Sequence, residues 1–198
     1  MSRIDPRLDR WLEALLATPG LTATSDLAVA RRLHVEDSLR AVEIVRRFDG
    51  PIADVGSGGG APGIPLAAAL PTRQVTLIEA SHRKCAFLEG WKAEFPNLRV
   101  VCGRGEEQAP ETYGVAVAKA LAPPPVAAEW CLGLAATGGA AILFVGPSAE
   151  VDRIGRVAEM LGGGSPELEA GLVVIPKLRP LPEGFPRRAG MARKRPLA

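Results

Sequence analysis

Apolar positions along this chain follow two different spacings, and the change from one to the other falls near residue 50. Before it the spacing is helical. Leu8, Trp11, Leu12, Leu15 and Leu16 form a stripe between an Asp5-Pro6 start and a Pro19-Gly20 break, the pattern of a capped amphipathic helix. Ser25 is placed to cap a second helical stretch, in which Leu27, Ala30 and Leu33, then Val35, Leu39, Val42 and Val45, lead up to Asp49-Gly50. After residue 51 short, solidly apolar runs take over: Ile52–Val55, Val75–Glu79, Arg99–Cys102, Val115–Ala118, Ala140–Val145 and Leu172–Ile175. Helical segments fall between them: Ile64–Leu70, a helix opened by Ser81 and faced by Phe87, Leu88, Trp91 and Phe95, one near Val126–Leu134, and Val151–Leu161 before Gly162-Gly163-Gly164. Apolar strands alternating with helices predict an α/β fold with a doubly wound, Rossmann-like parallel sheet, which binds its ligand at the carboxyl ends of the strands. The expected organisation is one domain over 1–198, with a helical cap (1–50), an α/β core (51–176) and a tail (177–198).

The richest chemistry lies between Ile52 and Pro65, which reads I-A-D-V-G-S-G-G-G-A-P-G-I-P. Glycines let the backbone approach a ligand closely, and Pro62 and Pro65 suit the first turn of a helix. Both Gly56-x-Gly58-x-x-Ala61 and Gly58-x-Gly60-x-x-Gly63 satisfy the dinucleotide fingerprint, so the loop alone leaves the nucleotide cofactor open. Asp54, two residues before the first glycine, would pair with a cationic amino group and repel a pyrophosphate, which favours S-adenosylmethionine. Glu79 ends the next strand where an acid accepts hydrogen bonds from ribose hydroxyls, and fits either cofactor. The bland alternative is a glycine-rich turn with two solvated acids.

Composition narrows the class. A chain of 198 residues that is 47% hydrophobic can bury a core without disulfides or metal. Its charged start lacks the apolar stretch of a signal peptide, and the apolar run Cys131 to Val145, broken by three glycines, is too short to span a bilayer. A cytoplasmic protein with no membrane partner is expected. Cys85, Cys102 and Cys131 are widely spaced and read as buried thiols, without metal ligation or catalysis. The net charge of +2 is uneven: from Lys177 onward seven basic residues face Glu183 alone, a local balance of +6 against about −4 elsewhere. Punctuated by Pro180, Pro182, Pro186 and Pro196, the tail reads equally as an extended phosphate-binding arm or as a solvated terminus without a partner.

Four segments spread over most of the chain carry a family resemblance. Arg32-Leu33-His34-Val35-Glu36-Asp37-Ser38-Leu39, the glycine loop Asp54 to Pro65, Gly103-Arg104-Gly105-Glu106-Glu107, and Phe185-Pro186-Arg187-Arg188-Ala189-Gly190 with Pro196-Leu197 are similar to R-H-I-x-D-S-L, D-V-G-S-G-x-G-x-P-G-I-P, G-R-A-E-E and Y-P-R-R-x-G ending in P-L. These are motifs of the bacterial small-subunit rRNA methyltransferase G family, also called glucose-inhibited division protein B. The resemblance implies a class I methyltransferase that moves a methyl group from S-adenosylmethionine to N7 of one guanine in 16S rRNA. Its partner would be that rRNA or the small ribosomal subunit, and the enzyme would be a monomer.

Carried over by position, cofactor contacts come from Gly56 and Ala61, from Gly105 and Glu106, and from Lys119, joining Asp54, Gly58 and Glu79 of the reading above. RNA contacts are expected from His34, Arg187, Arg188, Arg193, Lys194 and Arg195. Guanine N7 carries a lone pair and no proton, so no catalytic acid or base is nominated. Lys119 stands where the family usually has Arg, Gly146-Pro147 where it usually has Lys, and the segment from Gly164 to Leu172 is short. In the tail, Gly190-Met191-Ala192-Arg193-Lys194 replaces the usual G-x-P-x-K. His34 and Asp37 share one helical face; they either border the substrate mouth, as the resemblance implies, or hydrogen-bond each other at a helix junction. The competing functions are a class I methyltransferase acting on a small molecule or protein, and a non-catalytic ribosome-binding relative.

Overall fold

The computed structural model describes residues 5–146 and 149–198, so Pro147 lies outside the described residues. The cap comprises α1 (Pro6–Ala17), α2 (Leu27–Ala30), a π-helical segment Arg31–Glu36, α3 (Asp37–Leu39) and α4 (Val42–Val45). There follow β1 (Ile52–Val55), α5 (Gly63–Ala69), β2 (Val75–Glu79), α6 (His82–Glu89), β3 (Leu98–Cys102), a tight turn of helix Gly105–Glu107, β4 (Tyr113–Lys119), α7 (Pro124–Leu134), β5 (Ala135–Phe144), α8 (Val151–Met160), β6 (Glu167–Glu169), β7 (Leu172–Pro176) and α9 (Met191–Lys194). The strand order is β3-β2-β1-β4-β5-β7-β6.

Strands β1 to β5 pair in parallel, as the alternation of strands and helices predicts. The last edge does not: β7 runs antiparallel to both β5 and β6. A hairpin at Ala170 and Gly171, both with positive φ, turns the chain back so that β7 fills the place beside β5. The short segment after Gly164 yields only the three exposed residues of β6.

Alternate residues of the central strands feed two cores. Ile52, Val75, Leu77, Val115 and Val117 face α5, α6 and the cap, whereas Ala53, Val55, Ala116 and Ala118 face α7 and α8. The cap is therefore welded to one face of the sheet through Leu8, Trp11, Leu12 and Leu15. Asp5 caps α1 through the Arg7 N–H at 2.9 Å. The second cap belongs to Asp26, whose Oδ1 accepts from the Val29 N–H at 2.8 Å, and Ser25 stands one residue too early. Ser81 precedes α6 without a side-chain cap, and α6 ends at Glu89, leaving Phe95 to reach the core from beyond the helix.

Two further expectations are corrected. Cys85 and Cys102 are disulfide-bonded, with Cα atoms 5.8 Å apart, tying α6 to the end of β3; only Cys131 is a buried free thiol, and burial pushes its pKa upward. The tail is neither extended nor free. Lys177 is fully buried and donates to the Leu161 carbonyl at 2.6 Å, Leu181, Phe185 and Leu197 pack on the α7 core, and Arg187 pairs with Glu129 of α7 at 2.7 and 2.5 Å. A buried carboxylate on α7 needs a cation, and the tail supplies it.

The indole of Trp11, wholly buried, donates to the Gly59 carbonyl at 2.9 Å and so pins the glycine loop to the cap. Trp11→Phe keeps the ring but leaves that carbonyl without its donor, and the protein should lose about 1 to 3 kcal/mol of stability, measured as a shift in the urea midpoint at unchanged slope.

Candidate active site at the carboxyl edge of the sheet

A cavity of about 510 Å³ opens at the carboxyl ends of β1, β2, β3 and β4. It sits where the strand order reverses, the point at which an open α/β sheet leaves a crevice. Its floor is the loop after β1, with Gly56, Ser57, Gly58, Gly59 and Ala61 on the surface. Gly56 has φ +72°, and a Cβ there would overlap the Leu121 side chain. A Cβ on Gly63 would overlap Leu77 and stand 2.7 Å from Asp54 Oδ2, so α5 can start hard against β1 only with glycine there.

The two acids read from the sequence occupy different places. Glu79 lines the cavity and spends one lone pair of each oxygen on nearby backbone: Oε2 accepts from the Gly58 N–H of the loop at 2.9 Å and Oε1 from the Ser81 N–H ahead of α6 at 2.8 Å. A carboxylate has about four acceptor sites, so capacity remains on the cavity side. Asp54 is fully buried and is absent from the cavity lining. Its Oδ2 accepts from the Gly63 N–H at 2.9 Å, Oδ1 has no hydrogen-bond partner among the described residues, and burial raises its pKa to about 7. The expectation that Asp54 meets a ligand's amino group is corrected: it lies beneath the loop, where it holds the start of α5, because the chain folds back over it.

The walls come from both faces of the sheet. From the cap side stand Trp11, Leu15, Leu21 and His34; from the other stand Gly105, Glu106, Leu121, Trp130 and Arg193. Lys119 lines the cavity, but its ammonium is committed to the cap, pairing with Asp37 at 2.5 Å and donating to the Leu33 carbonyl. His34 bonds the Thr22 hydroxyl at 3.0 Å rather than Asp37, and burial, then the nearby Lys119, lowers its pKa. The π-helical segment, which spacing alone does not announce, carries His34 to the cavity wall.

Of the basic tail candidates only Arg193 reaches the cavity. Arg188, Lys194 and Arg195 are exposed, and Arg187 is held in its pair with Glu129. Sequence reasoning missed Trp11, Leu121, Trp130, Lys84 and Arg104 as cavity residues. Lys84 was findable, standing in the first turn of the helix after the Glu79 strand; Trp130 reads from the sequence as an ordinary core position of α7.

Comparison with solved structures places the fold. The chain is similar to a SAM-dependent O-methyltransferase from Thermotoga maritima (TM-score 0.58, 14% identical, 80% of this chain and 72% of that one). It is also similar to the 16S rRNA N2 methyltransferase of T. thermophilus in complex with AdoMet and guanosine (TM-score 0.55, 20% identical), covering 75% of this chain but only 40% of that one. The sheet, its switch-point cavity and these likenesses define the Rossmann-like fold shared with class I methyltransferases.

The family narrows further. The model of rRNA small subunit methyltransferase G matches residues 8–160. Proteins named ribosomal RNA small subunit methyltransferase G are 34% identical in Pelotomaculum thermopropionicum (89% of this chain, 81% of that protein) and 34% identical in Moorella thermoacetica (89% and 82%). The chain belongs to the rRNA small subunit methyltransferase G family.

The buried Asp54 carries a stability signature. Between about pH 4 and pH 7 the unfolded chain has lost the proton that the folded chain keeps, so this site makes stability fall as pH rises across that window. A rise from 3.8 to about 7 corresponds to a penalty of order 4 kcal/mol above pH 7. Asp54→Asn keeps an acceptor for the Gly63 N–H and removes the charge. It should melt above the parent at pH 8 and nearly with it at pH 4, by thermal denaturation at the two pH values.

Proposed function

We propose that this protein, a single domain over residues 1–198 acting as a monomer, methylates N7 of a guanine in 16S rRNA. The observation that carries the reading is the switch-point cavity, floored by a glycine cradle with Glu79 at its rim and bordered by Lys84, Arg104, Lys119 and Arg193. Its volume suits a nucleoside-sized ligand, and the floor offers backbone where side chains would intrude. S-adenosylmethionine, when bound, supplies an electrophilic methyl group, and a purine N7 lone pair needs no proton removed before it reacts. The protein's task is then orientation and exclusion of water.

In this reading Glu79 accepts from the ribose hydroxyls, Gly56, Gly58 and Ala61 cradle the cofactor, and Gly105 and Glu106 border its base. Asp54 acts one step removed, by fixing the loop. His34, kept neutral by its lowered pKa, borders the substrate mouth, and Arg188, Lys194 and Arg195 take RNA phosphates. Arg187 holds the tail in place, and Lys119 holds the cap through Asp37.

Mass mapping of modified guanines, in rRNA from cells with and without this gene, tests the reading; one 16S guanine should lose its N7 methyl, and an unchanged pattern would sink it. Glu79→Ala should weaken cofactor binding by about 1.5 to 3 kcal/mol, read by calorimetry on protein whose melting has been checked, because the Gly58 and Ser81 amides lose their acceptor as well. Replacing Arg188, Lys194 and Arg195 together by alanine should flatten the logarithmic salt dependence of rRNA binding by roughly 2 to 3. An unaltered slope would remove the tail from the RNA surface.

A further inference from the structure

We propose, resting on the cofactor reading above, that the C-terminal tail is a wall of the cofactor cavity, so that docking the tail and filling the cavity are one coupled equilibrium. Three contacts join the tail to the cavity's lining. The Gly190 N–H donates to Glu106 Oε1 at 2.9 Å. The Arg193 guanidinium lies 5.4 Å from the centre of the Trp130 ring and donates to the Leu121 carbonyl at 3.1 Å. Glu106, Trp130, Leu121 and Arg193 all line the cavity, and Leu121 is the residue packed against Gly56 of the floor. The tail thus touches the turn after β3, the chain after β4, and α7.

The clamp that holds this wall stands outside the cavity. Arg187 makes two hydrogen bonds to Glu129 and a third, at 2.9 Å, to the Arg195 carbonyl. Glu129 is buried on α7, one residue before Trp130. Two parallel N–H bonds to a carboxylate fix both partners in direction as well as distance. Around the clamp, Ala192 is buried and Phe185 packs on the α7 core. Arg187 is a positioning residue: it does not line the cavity but orients the segment that does.

The rest of the tail is held by side-chain packing and a few hydrogen bonds more than by regular structure. The only helix in it, α9, has four residues, too few to persist without tertiary support. Among the described tail residues only Lys177 reaches the sheet, exchanging backbone hydrogen bonds with Gly138 and Gly139 of β5. Docking therefore depends on a handful of contacts, and a ligand that meets only the docked form shifts that balance. By linkage, RNA that engages the exposed cations Arg188, Lys194 and Arg195 on the docked tail tightens cofactor binding by the factor by which cofactor tightens RNA binding.

The test uses the full chain and S-adenosylmethionine. Limited trypsin digestion reports tail undocking through the cut after Arg188; saturating S-adenosylmethionine should slow that cut several-fold while leaving cleavage of an unstructured control peptide unchanged. Calorimetry should show S-adenosylmethionine binding about tenfold weaker in Arg187→Ala, the worth of about one hydrogen bond, with Arg193→Ala weakened also. Arg179→Ala, an exposed tail cation outside the clamp, should match the parent. A tail cut at the same rate with and without ligand overturns the proposal, and so does an unchanged dissociation constant in folded Arg187→Ala. Failure of the parent protein itself to bind S-adenosylmethionine would overturn the cofactor reading on which the proposal rests.

Discussion

Beside β1 the sheet changes its direction of growth, and everything at the site follows from that reversal. The connection from β1 through α5 leads to β2 on one side, whereas β4 lies on the other. The loops leaving β1 and β4 must part, and they part at their carboxyl ends, where backbone rather than a covering helix forms the surface. They do not part far. Leu121, after β4, reaches back to the place where a Cβ of Gly56 would stand. The cradle's missing side chains therefore answer two demands at once, contact between the diverging loops and access for a ligand.

Holding such a loop is a separate problem from opening it, because glycines bring no side chains to pack. Three neighbours supply what the loop lacks. Asp54 takes the Gly63 N–H from below, Glu79 takes the Gly58 N–H from the side, and Trp11 gives its N–H to Gly59 from the cap. The two carboxylates share a chemistry and differ in burial, which divides their work. Asp54, enclosed, is pushed toward the neutral form; Glu79 reaches the cavity surface with lone pairs to spare.

The sheet was legible because its code is local. β1 and β2 match the bounds drawn from the apolar runs, one run stopping at Gly56 and the other closing on Glu79. β6 was illegible: Glu167-Leu168-Glu169 is three exposed residues whose pairing is set by the hairpin, not by their own pattern. The glycine cradle and Glu79 could be read from spacing. That Asp54 faces inward could not, because it depends on where α5 lies across the end of β1. The docked tail was hidden for the same reason, since Arg187 and Glu129 are 58 residues apart and charge patterning sees only that the tail is basic. The disulfide is likewise a fact of α6 lying beside β3.

The side chains at the cavity also differ in how much they must rearrange to act. Glu79 can accept new donors without releasing Gly58 or Ser81, so its charge is already aimed and desolvation has already been met by two amides. Such a group meets a ligand with little reorganisation, which is what makes a polar site effective. Lys119 is the opposite case. Its ammonium is occupied by Asp37 and the Leu33 carbonyl, and turning it toward a ligand would strip the cap of a partner and leave Asp37 with the Arg40 guanidinium alone. An arginine, with five donors in a planar fork, could serve cap and cavity together; a lysine whose ammonium is already spent on the cap is held to one of them. Lys119 is accordingly a cation of the cap, whereas Glu79 keeps acceptor capacity on the cavity side.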